Sequence, residues 1–244
     1  MEQAFVRTGL NGSALVGLLA QLALIEQPAA APSFVEGMGR WLGWKEAIPL
    51  SAVLQQAAPG HAVAAPRAAA AVLAVLAVLA ADAQAIANAE ALGRELARVQ
   101  AVLAQAIQTD RDTVREDGHH FLPFRRRCLT LQQAMDASVG PLREQLRAAV
   151  ARRSPTLARL AALDAVMAQA LAPREQTLLA LLPVLLEKHF LQLRPAQPHT
   201  EPHTWLDTFR QDMRQLLLAE LDLRLQPCLG LLSSLRSVSQ GLHE

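Results

Sequence analysis

Residues 67–115 read RAAAAVLAVLAVLAADAQAIANAEALGRELARVQAVLAQAIQTDRDTVR, with no proline and a single glycine, Gly93. Alanine and leucine, both strong helix formers, supply most of the apolar content of the chain. Tyrosine is absent and aromatic residues make up 4% of the chain, so the composition opposes strands. At ~1.5 Å of rise per residue, one helix across this stretch spans roughly 70 Å. The prediction is an all-α protein: an elongated helical bundle with one long central helix and coiled-coil-like packing.

The long stretch divides by polarity. Its first third (Val72, Val75, Leu76, Val78, Leu79) is apolar all round and reads as buried centrally. Ala68–Ala81 carries no charge, but it is closed by Arg67 and Asp82 and is shorter than the ~20 residues that a membrane span needs. Farther on, Leu92, Leu96, Val99, Leu103 and Ala106 recur at heptad spacing. That seam suits an intramolecular antiparallel pair or, in the sharper reading, a homo-oligomer joined through residues 92–106. Thr109–Asp117 is polar except for Val114, so the helix is less secure there.

On the N-terminal side, a helix is expected over 11–26 with Leu15, Leu18, Leu19, Leu22 and Ile25 on one face. Ser33 and Glu36 have capping-box spacing for a second helix, which carries Trp41 and Trp44. Pro49 opens a short third helix, and residues 57–66, with two prolines and a glycine, form a loop.

On the C-terminal side, a helix from about Pro123 to Arg153 is expected to break or kink at Gly140-Pro141. Ser154-Pro155 is a helix start, serine as cap and proline at the first position. Pro173 begins a further helix, bent near Pro183. Residues 194–204 (RPAQPHTEPHT) read as a linker. Trp205–Gln226 is an amphipathic helix, ended by Pro227 and followed by a short last one. The expected organisation is therefore 1–60, an N-terminal helical subdomain; 67–193, a long-helix bundle; 194–204, a linker; and 205–244, C-terminal amphipathic helices.

The formal net charge of +1 gives no global reason for a polyanionic partner. Cys128 and Cys228 lie in apolar helical surroundings and read as buried free thiols in a reducing compartment. The N-terminus lacks the basic region of a signal peptide. His199 and His203 have i, i+4 spacing, but Pro198 and Pro202 oppose a helix there, and His119-His120 reads as a solvated turn. No metal site, cofactor or catalytic constellation is assigned, and the chain is read as a non-enzyme.

The strongest local signal is electrostatic. Arg125, Arg126, Arg127, Arg143, Arg147, Arg152, Arg153 and Arg159 fall in one segment opposed only by Asp136 and Glu144, a local charge of +8 − 2 = +6. Arg143 and Arg147 are one helical turn apart and share a face. With Trp41 and Trp44, the residues from Arg125 to Arg153 are the candidate partner-binding set. A protein partner is the first reading. A nucleic acid held by the Arg125–Arg159 helices is the alternative, although the interleaved aromatics that stack on bases are missing apart from Phe121 and Phe124.

Three stretches together, Arg7–Ser13 (RTGLNGS), Trp41–Trp44 (WLGW), and Phe124–Leu131 (FRRRCLTL) leading to Gly140-Pro-Leu142, resemble an uncharacterised family of proteobacterial helical proteins, a domain of unknown function. The resemblance covers most of the chain and carries no catalytic residue across. It implies genes encoded near inner-membrane proteins of the flagellar-stator type. The expected role is a cytoplasmic scaffold or adaptor, accessory to an envelope complex.

Overall fold

The computed structural model describes residues 14–25, 44–55, 68–109, 120–194 and 204–240, and the side chains among them outside 44–46, 68–82 and 238–240. Seven helices form among the described residues, and no strand. They are α1 (Ala14–Gln21), α2 (Trp44–Gln55), α3 (Ala68–Gln108), α4 (Leu122–Arg153), α5 (Pro155–Leu179), α6 (Leu182–Leu193) and α7 (Thr204–Gln240). None of them is long and apolar enough to cross a membrane. The all-α bundle expected from the sequence is the observed fold. Trp41, the 33–43 helix, the 57–66 loop and residues 195–203 lie outside the described residues.

The helices divide into two units, each with contributions from distant parts of the chain. The first gathers the described residues of Met1–Gly43 with Gln100–Ser138 and Gln169–Leu225; the second gathers those of Trp44–Val99, Val139–Ala168 and Gln226–Glu244. These do not follow the sequential boundaries expected at 60, 67, 193 and 204, because α3, α4, α5 and α7 each supply residues to both.

In the first unit, Leu206, Phe209, Met213, Leu216, Leu217 and Leu221 of α7 are buried as their spacing predicts. Phe124, Cys128, Leu131 and Met135 of α4, and Leu182, Leu186 and Phe190 of α6, are buried in the same unit, with Phe124 and Phe190 packed against Phe209. α1 closes with Leu24 N donating to Leu19 O at 3.0 Å and Ala23 N to Ala20 O at 3.0 Å. That pairing is a Schellman cap, with Ala23 at φ 54° in place of the usual glycine.

In the second unit, Leu92, Leu96 and Val99 of α3 are buried, as are Leu142, Leu146 and Val150 of α4 and Leu231, Leu232 and Leu235 of α7. Gly93 faces α7 here: a Cβ at this position would collide with the Arg236 guanidinium, so the glycine admits the close approach of that side chain. Each fully buried leucine in these cores contributes about 1.5–3 kcal/mol of transfer free energy.

Four prolines stand inside helices at positions where the sequence reading places a helix start, a helix end or a break. α2 passes through Pro49, α4 through Pro141, α5 through Pro173 and α7 through Pro227. Of the break or kink expected at 140–141, the break is thus corrected, as are the helix starts at 49 and 173 and the short last helix after 227. The reason is position. Gly140, Pro141 and Ala137 are all exposed, so the carbonyl that proline deprives of its i−4 donor faces water, which can take the bond. Pro173 and Gln169 are likewise exposed. The true interruption after α5 is at residues 180–181, and Pro183 sits in the first turn of α6, where its missing N–H costs nothing.

Ser154 does begin α5: its Oγ accepts from Leu157 N at 3.2 Å. Ser154→Ala is expected to cost about 1 kcal/mol, the usual worth of an N-cap, measured as a shift in the urea midpoint.

Candidate functional site

The single residue between α4 and α5 reverses the chain, so the helices run antiparallel and Asp164 comes to lie between Arg143 and Arg147. Arg143 binds it bidentately, Nε to Oδ2 at 3.0 Å and Nη2 to Oδ1 at 2.6 Å. Arg147 donates to Oδ2 from Nε at 3.0 Å and from Nη2 at 2.8 Å, and from Nη1 to Glu144 at 2.5 Å. The side chains are only 22%, 15% and 15% exposed for Arg143, Arg147 and Asp164. The pair read from sequence as a partner-binding face is therefore committed inside the chain. Asp164, some twenty residues away in sequence, gave no local sign of this.

Burial pushes the Asp164 pKa up, but the hydrogen bonds and charges of Arg143 and Arg147 outweigh it and hold the carboxyl below its ordinary 3.8. A depressed folded-state pKa means that the unfolded chain binds the proton more tightly. The stabilisation is complete above about pH 4 and is lost as the pH falls through the folded value. Asp164→Asn is expected to cost about 2–3 kcal/mol near neutral pH, since it leaves two largely buried guanidiniums without their carboxylate. In urea titrations the gap from the parent chain should narrow as the pH is taken below the ordinary carboxyl value and Asp164 becomes protonated.

Arg127 is also engaged. It donates to the carbonyls of Ala106 and Thr109, the latter at 2.9 Å. These are orphan acceptors at the C-terminus of α3, where a cation also meets the negative end of the helix dipole. The contact caps α3 at its end, Gln108. Arg153 is half-buried and engaged within the chain. Trp44 opens α2, but its side chain is not among those described.

The heptad seam also turns inward. Leu92, Leu96, Val99, Leu103 and Ile107 are each less than 10% exposed, so the chain itself covers the surface offered to a second copy, and Ile107 replaces Ala106 as its last member.

One buried polar centre escaped the sequence reading. Gln132 Nε2 donates to Leu179 O at 3.1 Å and to the Glu220 carboxylate at 3.1 and 3.0 Å. Arg224 donates to Glu220 Oε1 at 2.9 and 2.7 Å, and also bonds Asp136. Glu220 is fully buried. Burial raises its pKa above the ordinary value despite Arg224 and Gln132. The same burial, reinforced by the Glu220 charge, lifts the Cys128 thiol to about 12. Burial carries Cys228 to about 11. Both thiols are free and buried, and at neutral pH both are protonated and poor nucleophiles.

At one end of this unit Phe121, Phe124, Phe190 and Phe209 pack with ring centroids 5.1–6.5 Å apart. Trp205 stands edge-on to Phe190 at 5.3 Å. His189 lies beside Phe209, with Nε2 2.8 Å from Asp212. Among the described residues no group of three or more His, Cys, Asp or Glu could hold a metal ion.

What stays available is the outer face of the first half of α4. Leu122 is 52% and Leu129 40% exposed, within the range of other surface leucines such as Leu54, Leu191 and Leu229, but here the two stand on one helix face beside exposed arginines. Arg125 and Arg126 are exposed between them, and Gln133 continues the face. No hydrogen bond or ion pair joins the Arg125 or Arg126 side chain to another described residue. Arg152, near the far end of the helix, is in the same condition.

Comparison with known proteins adds one finding. No curated protein and no solved structure matches the chain. A family described as "Protein of unknown function (DUF3348)" matches it over residues 1–237. With nearly the whole length covered, the chain belongs to the DUF3348 family.

Proposed function

We propose that the chain is a non-enzymatic helical scaffold or adaptor that binds another protein, and that Arg125 and Arg126 at the head of α4 mark the binding surface. The supporting observation is the sorting of the arginines. Arg143 and Arg147 are neutralised by Asp164 and Glu144, and Arg127 caps α3, whereas Arg125 and Arg126 project from a face that also exposes two leucines. Exposed apolar residues flanked by cations suit protein recognition, where arginine is one of the side chains that carry affinity.

The family resemblance supports a cytoplasmic setting and an inner-membrane envelope complex as the larger assembly. The nucleic-acid alternative loses support from the same sorting, because the basic stripe is interrupted by its own carboxylates.

The test is affinity capture of the intact protein from its native cell. Arg125→Glu with Arg126→Glu is expected to lower recovery of the partner at least tenfold, with the circular dichroism of the purified chain unchanged. Undiminished recovery would remove this face from the proposal. Nucleic acid recovered in place of protein would favour the alternative.

A further inference from the structure

We infer that the occupant of this face is an acidic amphipathic helix of a partner protein, lying along Leu122, Arg126, Leu129 and Gln133 of α4. The inference rests on the protein-binding reading above and specifies the chemistry of the partner.

The four positions follow one another at spacings of 4, 3 and 4, the repeat by which one helix seats against another, and all four are exposed. They extend over ~17 Å, three turns of helix. Two features of the seam fix the partner. The leucines alternate with Arg126 and Gln133, so it is half polar. A partner with an unbroken leucine stripe would bury the Arg126 guanidinium without a counter-charge, a costly arrangement. A partner with Glu or Asp facing Arg126, and leucine or similar facing Leu122 and Leu129, satisfies both. Arg125 flanks the seam, where a second carboxylate can reach it from the partner's edge.

The seam is also bounded. Beyond Gln133 the next position on this face is Asp136, which is tied to Arg224 and is acidic. An acidic partner helix is repelled there, so the contact ends after about three turns.

The inference is tested by placing the photo-crosslinking residue p-benzoylphenylalanine at position 129 of the full chain in its native cell, with position 145, exposed farther along α4, as the control site. Crosslinked peptides are then sequenced by mass spectrometry. The expected product at 129 joins a partner segment with net negative charge and apolar residues at three-and-four spacing. Arg126→Glu should reduce its yield at least tenfold, and Arg126→Lys should retain most of it. A peptide of the captured segment should bind the purified chain with an affinity that falls as salt is raised.

Crosslinks to a basic or non-helical segment, to a second copy of this chain, or to nucleic acid would overturn the inference. Should the double Arg→Glu variant still lose its partner while the crosslinked segment is not acidic, the inference falls and the scaffold reading stands. Should neither capture nor crosslinking respond to the arginines, both fall.

Discussion

Replacing Arg224 with methionine is expected to destabilise the fold by about 3 kcal/mol at pH 7, because it strands the carboxylate of Glu220 in the core. Arg224 is 11% exposed and Glu220 not at all, and among the described residues no other cation is bonded to that carboxylate. Gln132 alone then solvates the charge. Adding Glu220→Gln to the Arg224→Met chain should recover most of the loss, since the amide carries no charge and the methionine fills the aliphatic space of the arginine. A double-mutant cycle in urea reads the coupling directly. Failure of the double variant to recover would mean that Arg224 acts mainly through Asp136 or through packing.

The pH dependence has a defined sign. The folded chain holds the Glu220 proton more tightly than the unfolded chain, whose value lies near the ordinary 4.5. Above that value the folded state is the one that binds more protons, so the contribution of Glu220 to stability falls as the pH rises through the raised folded value. The deficit of Arg224→Met should therefore shrink as the pH is lowered through the raised folded value, because a protonated Glu220 needs no cation. Asp164 behaves in the opposite sense, and the two residues together leave a stability maximum between their windows.

Phe209→Ala is expected to cost about 3–5 kcal/mol, one of the largest effects of any single apolar truncation among the described residues. Phe209 is fully buried, and its ring centroid is 5.2 Å from Phe124, 5.1 Å from Phe190 and 6.2 Å from Phe121. Deleting it removes an edge-to-face neighbour from each of three aromatic rings, of which Phe190 keeps Trp205, and opens a cavity that rigid rings cannot close. Phe209→Leu should cost less than half as much. Leu122→Ala, on the exposed face of α4, should change the melting temperature very little and serves as the control. A loss of under 1 kcal/mol for Phe209→Ala would show that the cluster relaxes around the gap.

Much of the fold was legible in the sequence because it depends on short-range periodicity. The buried stripe of α7 and the Ser154-Pro155 start of α5 follow from spacings of three, four and one residues. The prolines misled, because their cost depends on which way the deprived carbonyl faces. At Ala137 and Gln169 it faces solvent, and residue order alone does not show that.

The site was less legible for a related reason. Eight arginines could be counted, but their fates depend on partners seventeen to twenty-one residues away, as with Arg147 to Asp164 and Arg127 to Ala106. Sequence proximity suggested Glu144 and Asp136 as the counter-charges, whereas the fold added Asp164. The Glu220 centre had one local signal: an acid and an arginine four residues apart inside the leucine-rich run 215–225. Reading that pair as buried required knowing that α4 would cover it.

Gln132 meets Glu220, and Asp136 meets Arg224, at a constant separation of 88 residues. α4 and α7 therefore lie side by side in the same direction, so no tight hairpin can bring them together. On the ribosome, at ~5–20 residues per second, α4 emerges about 4–18 s before its companion. Throughout that interval Phe124, Cys128 and Met135 have no α7 to cover them. The nascent chain is thus a natural client for a chaperone that shields apolar helices, and truncation before residue 204 should yield an aggregating product.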